Sequence, residues 1–191
     1  YYNSPANQGD PELKPEKIWN YETGLRLSQN KFSFELNIFR RNGRKLIDWV
    51  RFSNDQVWKV KNISSMNTNG LELLFSVNPE YYIKSDYFSN LTLSYSYFKN
   101  DLNLNDYESK YLLNSINHQV IFTLVHQQLL GTFQRWNIRY EDRDFNNGQT
   151  IVDTQIIKKF RNTELFVKVT NLFDIDYFEF KYLPMPGRWI K

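Results

Sequence analysis

Apolar and polar residues alternate along much of this chain, and the alternation begins close to Trp19. From Trp19 to Ser28, every second residue is aromatic, aliphatic or Thr, and the residues between them are polar or Gly. After a break at Gln29-Asn30-Lys31, the same alternation returns from Phe32 to Ile38. Because successive side chains of a strand point to opposite faces, the pattern predicts a β-sheet with one apolar and one polar face.

Repetition of this pattern predicts about nine strands with no helix between them. They lie near 18–28, 31–50, 57–77, 84–98, 109–126, 132–142, 149–159, 163–173 and from 188 onward. Short connections are expected near 29–31, 78–83, 127–131 and 160–162, and longer polar ones near 51–56, 99–108, 143–148 and 174–187. Alternating short and long connections are typical of an up-and-down barrel whose two rims face different compartments. The predicted fold is therefore all-β, a segment of an antiparallel up-and-down transmembrane β-barrel.

Composition favours the membrane interpretation over a soluble sheet. The chain contains no run of about 18 apolar residues, so it contains no transmembrane helix, and its mean hydropathy is −0.62. Aromatic residues make up 17% of the chain, which suits a barrel with aromatic girdles at both membrane interfaces. A soluble antiparallel sheet with one solvated face remains the alternative.

Charge and cysteine content exclude other classes. The formal net charge is only +3, with acids and bases interspersed, so no nucleic acid partner is indicated. The chain contains no Cys, which excludes disulfides and thiolate chemistry.

Charged residues on the polar face are expected to line a water-filled lumen. A charge on the lipid face at mid-bilayer would cost about 2–4 kcal/mol. The predicted lumen-facing residues are Glu22, Arg26, Glu35, Glu72, Arg135 and Arg139.

Aromatic and charged residues near the long connections are candidates for ligand binding. Rings supply contact area to a large amphiphilic ligand, and polar groups fix its orientation. The candidates are Trp49, Arg51, Asp55, Trp58 and Tyr177. The alternative for the two tryptophans is a place in the outer aromatic girdle.

No catalytic or metal site is indicated, and no cofactor is expected. His118 and His126 are eight residues apart, which in one strand separates them by about 26 Å. The Asp-containing stretches lack the ligand ladder of a calcium loop. The chain is therefore not expected to be an enzyme.

Three stretches resemble TonB-dependent outer-membrane receptors. Asp10–Glu16 followed by Trp19–Leu25 is similar to the entry into a late barrel strand of that family. Asn67–Glu72 resembles a recurrent strand in which threonine precedes glycine and an acid. Asn171–Asp174, followed by Tyr177 and then by Pro184–Arg188, is similar to the segment that leads into the last strand.

The resemblance implies a 22-stranded barrel, closed by a plug, in the bacterial outer membrane. Nine strands would be the fourteenth to the twenty-second, so residues 1–191 are expected to form the C-terminal part of the barrel. On that count the first connection is a periplasmic turn, and Gln29-Asn30-Lys31 is suitably short. The chain is expected to be a fragment cut at both ends, with the plug and the TonB box outside it. Since its edge strands would lack partners, we expect it not to fold stably alone.

The implied function is TonB-dependent import of a large scarce nutrient, either cobalamin or a ferric siderophore. Leu46–Val50 and Asp55–Trp58 are similar to cobalamin-receptor-like members. Implied partners are outer-membrane lipid and the TonB complex, the latter through the plug, and a surface lipoprotein partner is left open. The alternatives are a passive porin-like or structural outer-membrane barrel and, less favoured, a soluble all-β carbohydrate-binding module.

Overall fold

The computed structural model is built almost entirely from β-strands, and it describes residues 4–52, 57–62, 65–83, 87–102, 107–109, 115–181 and 183–191. The strands are β1 (Asn7–Gln8), β2 (Lys17–Ser28), β3 (Phe32–Arg44), β4 (Ile47–Phe52), β5 (Trp58–Asn62), β6 (Ser65–Val77), β7 (Phe88–Leu102), β8 (Tyr107–Ser109), β9 (Ile116–Gln127), β10 (Thr132–Arg143), β11 (Asn146–Lys159), β12 (Glu164–Thr170), β13 (Phe178–Phe180), β14 (Leu183–Pro184) and β15 (Trp189–Ile190). A one-turn helix, α1 (Glu80–Ile83), follows β6, and a 3-10 turn (Leu129–Gly131) follows β9. No helix in these ranges has the length and apolar character needed to span a membrane.

Nine of these strands form one antiparallel sheet in the order β15-β12-β11-β10-β9-β7-β6-β3-β2. Each strand pairs with the next long strand along the chain, as an up-and-down arrangement requires. The all-β antiparallel barrel segment predicted from the alternation is confirmed. The total of 22 strands stays a prediction.

Two predicted strands are interrupted, which corrects their boundaries. The strand expected over 31–50 ends at Arg44, because Lys45 has a positive φ of 55°. The strand expected over 57–77 is described as two pieces, β5 and β6. The intervening hairpin of β4 and β5 joins β1 and β8 in a separate four-stranded sheet.

The connection expected over 143–148 is also shorter than predicted. Arg143 pairs with Asn146, so β10 and β11 are joined by a turn of only Asp144 and Phe145. Most polar residues in this stretch belong to the paired strands β10 and β11 and do not form a loop. The connection over 174–187 is long as predicted and contains the small β13–β14 hairpin.

Strand register builds one face of the large sheet from apolar rows. One row crosses seven strands without a polar residue: Leu27, Phe34, Phe75, Leu93, Phe122, Ile138 and Val152. The next row contains Leu25, Leu36, Leu73, Tyr95, Val120, Tyr140 and Thr150. Leu27 is 50% exposed and Leu93 41% exposed, so this face, here called the outward face, lacks a packed protein layer over these positions.

The opposite face, here called the inward face, is polar. One of its rows contains Ser28, Ser33, Ser76, Thr92, Thr123, Asn137 and Asp153. A cavity of about 510 Å³ opens on this side between Arg26, Glu35, Asn37, Glu72 and Ser96. An apolar exposed exterior combined with a polar concave interior is the arrangement of a membrane barrel wall.

The two ends of the sheet differ. The connections at 29–31, 128–131 and 160–163 and the residues 78–83 that follow β6 lie at one end, here called the short-turn end. The β4–β5 hairpin and the segment from Asn171 to Arg188 lie at the other, here called the loop end.

Candidate functional site

The β4–β5 hairpin at the loop end brings three predicted ligand-binding residues together. Trp49 pairs with Val60 in the next strand, and residues 49 and 51 share a face because they are two apart in β4. The guanidinium carbon of Arg51 lies 4.7 Å from the centroid of the Trp58 ring. This distance is that of a cation–π contact. The fourth predicted residue, Asp55, lies outside the described residues.

Glu108 completes this cluster and was missed by the sequence analysis. It lies opposite Arg51 in the β4–β8 ladder, and Arg51 Nη2 donates to Glu108 Oε2 at 2.7 Å. This hydrogen bond is the main cause that lowers the pKa of the Glu108 carboxyl from its ordinary value. Since 57 residues separate the two in sequence, no local pattern could have paired them.

The other face of the hairpin is buried and holds β8 against β4. Asp48 is 2% exposed, and it accepts hydrogen bonds from Ser109 Oγ and from the Trp49 backbone N–H. Val50 beside it is also 2% exposed. Asp48 therefore fixes β8 against β4, and it is not placed to meet a ligand.

The N-terminal segment also holds the hairpin. The Trp58 backbone N–H donates to the Ala6 carbonyl at 2.9 Å, and β1 runs parallel to β5. The Asn62 side chain donates to the Lys14 and Lys45 carbonyls at 2.8 and 2.7 Å. The backbone that carries Trp58 is thereby fixed from both sides.

Four of the predicted lumen residues lie together on the inward face of β2, β3 and β6. Arg26 Nη2 and Glu35 Oε2 are 3.0 Å apart, and the Asn37 side chain donates to Glu22 Oε1 at 2.7 Å. Glu72 lies opposite Asn37 in the next strand. These groups line the cavity of the inward face or lie beside it.

Arg135 and Arg139 lie on the inward face of β10, farther along the sheet. Arg135 lines a separate cavity of about 120 Å³ with Asp153 and Lys168. Arg139 binds Glu141 at 3.2 Å and Glu179 at 3.0 Å. Glu179 belongs to the segment from Asn171 to Arg188, so that segment folds back onto the inward face.

Tyr177 is part of this returning segment and not of the hairpin cluster. Burial raises the pKa of its phenol, and the neighbouring carboxylate of Glu179 raises it further. In the large sheet, β6, β7 and β9 lie between β3, after which the hairpin begins, and β10, on which Arg139 lies. The predicted ligand-binding residues therefore form two groups. The charge of Lys181 in the returning segment nevertheless acts on Glu108.

One side-chain amide fastens the returning segment to the wall, and a second closes the turn at the start of the segment. Gln149 donates to the Phe178 carbonyl at 2.9 Å and accepts from the Phe178 N–H at 3.2 Å. Asn171, 2% exposed, exchanges a similar pair of bonds with Ile175 at 2.9 and 3.1 Å. Asn171 is the first residue of the motif Asn171–Asp174, and its structural role in that motif is to hold the turn to Ile175.

Comparison with solved structures supports the barrel architecture. The FrpB iron transporter from Neisseria meningitidis (F3-3 variant) superposes with a TM-score of 0.71 at 14% identity, covering 97% of this chain and 31% of that one. The copper transporter OprC gives a TM-score of 0.74 at 18% identity, with 94% and 31% covered. The siderophore receptor PirA from Acinetobacter baumannii gives 0.67 at 14% identity, with 95% and 32% covered.

These likenesses show the fold, and this chain spans less than a third of the length of each of these three proteins. A search of curated proteins finds no match. Residues 1–172 match the protein family described as "TonB dependent receptor-like, beta-barrel", whose members reside in the bacterial outer membrane and are not enzymes. The strand order, the apolar exterior and this match agree, and the chain belongs to the TonB-dependent receptor family as part of its β-barrel.

Proposed function

We propose that this chain is the C-terminal part of the barrel of an outer-membrane receptor that imports a large scarce nutrient with energy supplied through TonB. The observation that carries the proposal is the cluster of Trp49, Arg51 and Trp58 on one face of the β4–β5 hairpin at the loop end. In a receptor barrel the longer connections face the cell exterior. The cluster thus offers aromatic area and a positioned guanidinium group where a ligand arrives.

A ferric siderophore is the ligand class that we favour, with cobalamin as the second candidate. The similar structures include the siderophore receptor PirA and the receptor FyuA, described as taking up ferric yersiniabactin. The Trp49 and Trp58 rings offer contact area to a ring-bearing ligand, and the Arg51–Glu108 pair offers polar groups that can orient it. The similarity of Leu46–Val50 to cobalamin receptors keeps cobalamin in the test, although Asp48 is occupied by Ser109.

The inward-face residues are proposed to line the lumen around the plug. Glu22, Arg26, Glu35 and Glu72 present charge beside a concave surface, and the family places its plug inside such a wall. Arg139 instead holds the returning segment through Glu179. Tyr177 interacts with Arg139 and Glu179 in this support, and its contact with the ligand stays a prediction.

The test is calorimetric titration of the full-length parent protein, purified in detergent. Ferric catecholate, ferric hydroxamate and cobalamin are titrated separately into the wild type, Trp58→Ala and Trp19→Ala. We expect one ligand to bind the wild type in saturable fashion and Trp58→Ala at least tenfold more weakly, because a central Trp often dominates binding. The matched control, Trp19→Ala, changes an exposed Trp of β2 outside the hairpin and should bind as the wild type does.

Energised uptake separates this proposal from a passive porin. Cells that carry the parent protein should accumulate the ligand, and a protonophore should abolish the accumulation. Uptake that persists with the protonophore, together with no saturable binding, would favour the porin-like alternative.

A further inference from the structure

The outward face changes from apolar to polar and charged residues at the loop end. Above the apolar rows, the row of Thr23, Ile38, Leu71 and Tyr97 is the last that is mainly apolar in β2, β3, β6 and β7. The next three rows on these strands contain Tyr21, Arg40, Asn69 and Lys99; Trp19, Asn42, Asn67 and Asp101; and Lys17, Arg44 and Ser65. These rows contain four cations and one carboxylate, Asp101.

Two of these cations share a pocket in the outer wall. A cavity of about 300 Å³ is lined by Arg40, Asn42, Gly43, Arg44, Ser65 and Asn67. All the lining side chains are polar, and every one of them can donate a hydrogen bond. Both arginines are exposed.

In the part of the chain that the structure describes, neither arginine has a carboxylate partner. Arg40 Nε donates to the neutral Asn42 Oδ1 at 3.3 Å, and within the described ranges no carboxylate forms an ion pair with Arg40 or Arg44. By contrast, Arg26, Arg51, Arg139 and Arg143 are each paired with Glu. Asp101 lies on β7, with β6 between it and the arginine strand β3.

The pocket lies at headgroup height. Arg40 is two residues beyond Ile38 and Arg44 is six beyond, so the two lie about 7 and 20 Å farther along the strand. With a strand tilt of about 40°, these distances correspond to heights of roughly 5 and 16 Å above the last mainly apolar row. Trp19 and Tyr21, which are 68% and 59% exposed, supply the interfacial aromatics found at this level.

The geometry points to a binding site, on the lipid side of the barrel, for the phosphate groups of outer-leaflet glycolipid, with Arg40 and Arg44 as its main contacts. Guanidinium groups bind phosphate in a bidentate manner. Asn42, Asn67 and Ser65 add neutral donors. The acyl chains of the same lipid would cover the apolar rows of the outward face next to the pocket. One lipid molecule would therefore bind the arginine pocket with its phosphates and the apolar rows with its chains.

This site differs from the proposed ligand site in position and in partner. Arg40 and Arg44 face outward on β3, whereas the nutrient cluster lies on the β4–β5 hairpin. The inference rests only on membership of an outer-membrane barrel family and survives if the proposed nutrient is wrong.

The experiment uses the full-length parent protein, stripped of lipid in detergent, and bisphosphorylated lipid A as the probe. Bound lipid is measured by native mass spectrometry for the wild type, Arg40→Gln, Arg44→Gln and the double variant. Each single variant should weaken binding about fivefold, the effect of one basic residue near an anionic surface. Arg41→Gln is the matched control, since Arg41 is the adjacent exposed arginine of the same strand and faces inward; it should stay within twofold of the wild type.

Two further probes identify the bound group. Dephosphorylated lipid A should bind the wild type as weakly as lipid A binds the double variant, and inorganic phosphate at millimolar concentration should not displace lipid A. Equal losses in Arg40→Gln and Arg41→Gln, or tight binding of the dephosphorylated lipid, would overturn the proposal. Displacement by inorganic phosphate would replace it with a free-anion site.

Folding is checked separately by the mobility shift of unheated samples in detergent gels. Arg40→Lys/Arg44→Lys keeps both charges but loses the bidentate geometry. Its lipid binding should fall between that of the wild type and that of the double Gln variant. Binding as weak as in the double Gln variant, with a normal mobility shift, would contradict a charge-based site.

Discussion

Glu141 is 1% exposed, and its charge is compensated entirely by neighbours on the inward face. Arg139 and Arg143 lie 3.2 and 2.9 Å from its two oxygens, and the Gln119 side chain donates to Oε1 at 2.9 Å. A buried charge is tolerated only when such partners replace water. The stability of this part of the wall therefore depends on one carboxylate.

Replacing Glu141 by Gln should destabilise the barrel by about 1–3 kcal/mol, because the buried carboxylate loses its charge-assisted hydrogen bonds, while Arg139 keeps Glu179 as a second counter-charge. Chemical unfolding of the full-length protein in detergent measures the change. Glu164→Gln is the control, since its ion pair with Lys159 is exposed and 3.8 Å long. A pair of that kind contributes about 0–1 kcal/mol, and equal losses in the two variants would contradict the prediction.

Gly70 is constrained by an aromatic ring of the neighbouring strand. A Cβ at Gly70 would lie within van der Waals overlap of the Phe39 ring, and Phe39 also contacts Phe98 at a centroid distance of 5.9 Å. The alternation predicts a strand here but does not show that the ring of one strand covers the glycine of the next.

Gly70→Ala should lower the free energy of unfolding by about 1–3 kcal/mol, the usual effect of overpacking. In a Phe39→Leu background, the same substitution should cost less, because the clashing ring is gone. A double-mutant cycle measures this difference, and strictly additive effects would rule out the ring contact as the cause.

Among the elements, the β4–β5 hairpin depends on an ion pair that responds to pH. Because Arg51 lowers the pKa of Glu108, the pair stabilises the β4–β8 contact above the ordinary carboxyl value of 4.5. That contribution is lost as the pH falls through the lowered pKa.

Acidification below pH 4.5 should therefore loosen β8 and change the environment of the Trp58 ring. The fluorescence difference between the wild type and Trp58→Phe isolates this ring from the other tryptophans. In Glu108→Gln the acid transition should vanish. If it persists unchanged in that variant, another group controls the hairpin.

The existence and faces of the strands can be predicted from the sequence more reliably than their ends. Period-two alternation predicts the nine strands of the large sheet and their faces, because over the apolar rows each face meets a single environment. It misplaces the end of β3 and the start of β6 because the hairpin between these strands has its own alternation. Lys45, with its positive φ, lies at the boundary between β3 and the hairpin. It also predicts a long connection at 143–148, where polar side chains instead pair across a tight turn.

Contacts of the candidate site were less predictable than the strands. Trp49, Arg51 and Trp58 could be chosen from residue type and location alone. Glu108 and Glu179 could not, since each reaches its arginine from a segment distant in sequence. Tyr177 could be chosen as a residue of the last long connection, but nothing local indicates that its segment returns to the inward face.

Across the described strands of the molecule, the large sheet ends in β2 and β15, and each has one edge that pairs with no other described strand of this sheet. All twelve residues of β2 are exposed. In a closed barrel such edges pair with further strands.

We predict that residues 1–191 expressed alone do not fold stably. The isolated chain should show no gel mobility shift and no cooperative unfolding in detergent, while the full-length parent shows both. A soluble monomer that unfolds cooperatively would refute the prediction.

The unbroken rows across seven strands restrict how such a sequence can change. Removing a single residue from the middle of β6 would exchange the two faces of the strand beyond that point and move Glu72 to the lipid side, where a charge is unfavourable. Removing two residues would restore the faces but shift the ladder against both neighbours. Length variation among descendants of this sequence should therefore accumulate in the loop-end connections, while the number of residues in each wall strand stays fixed.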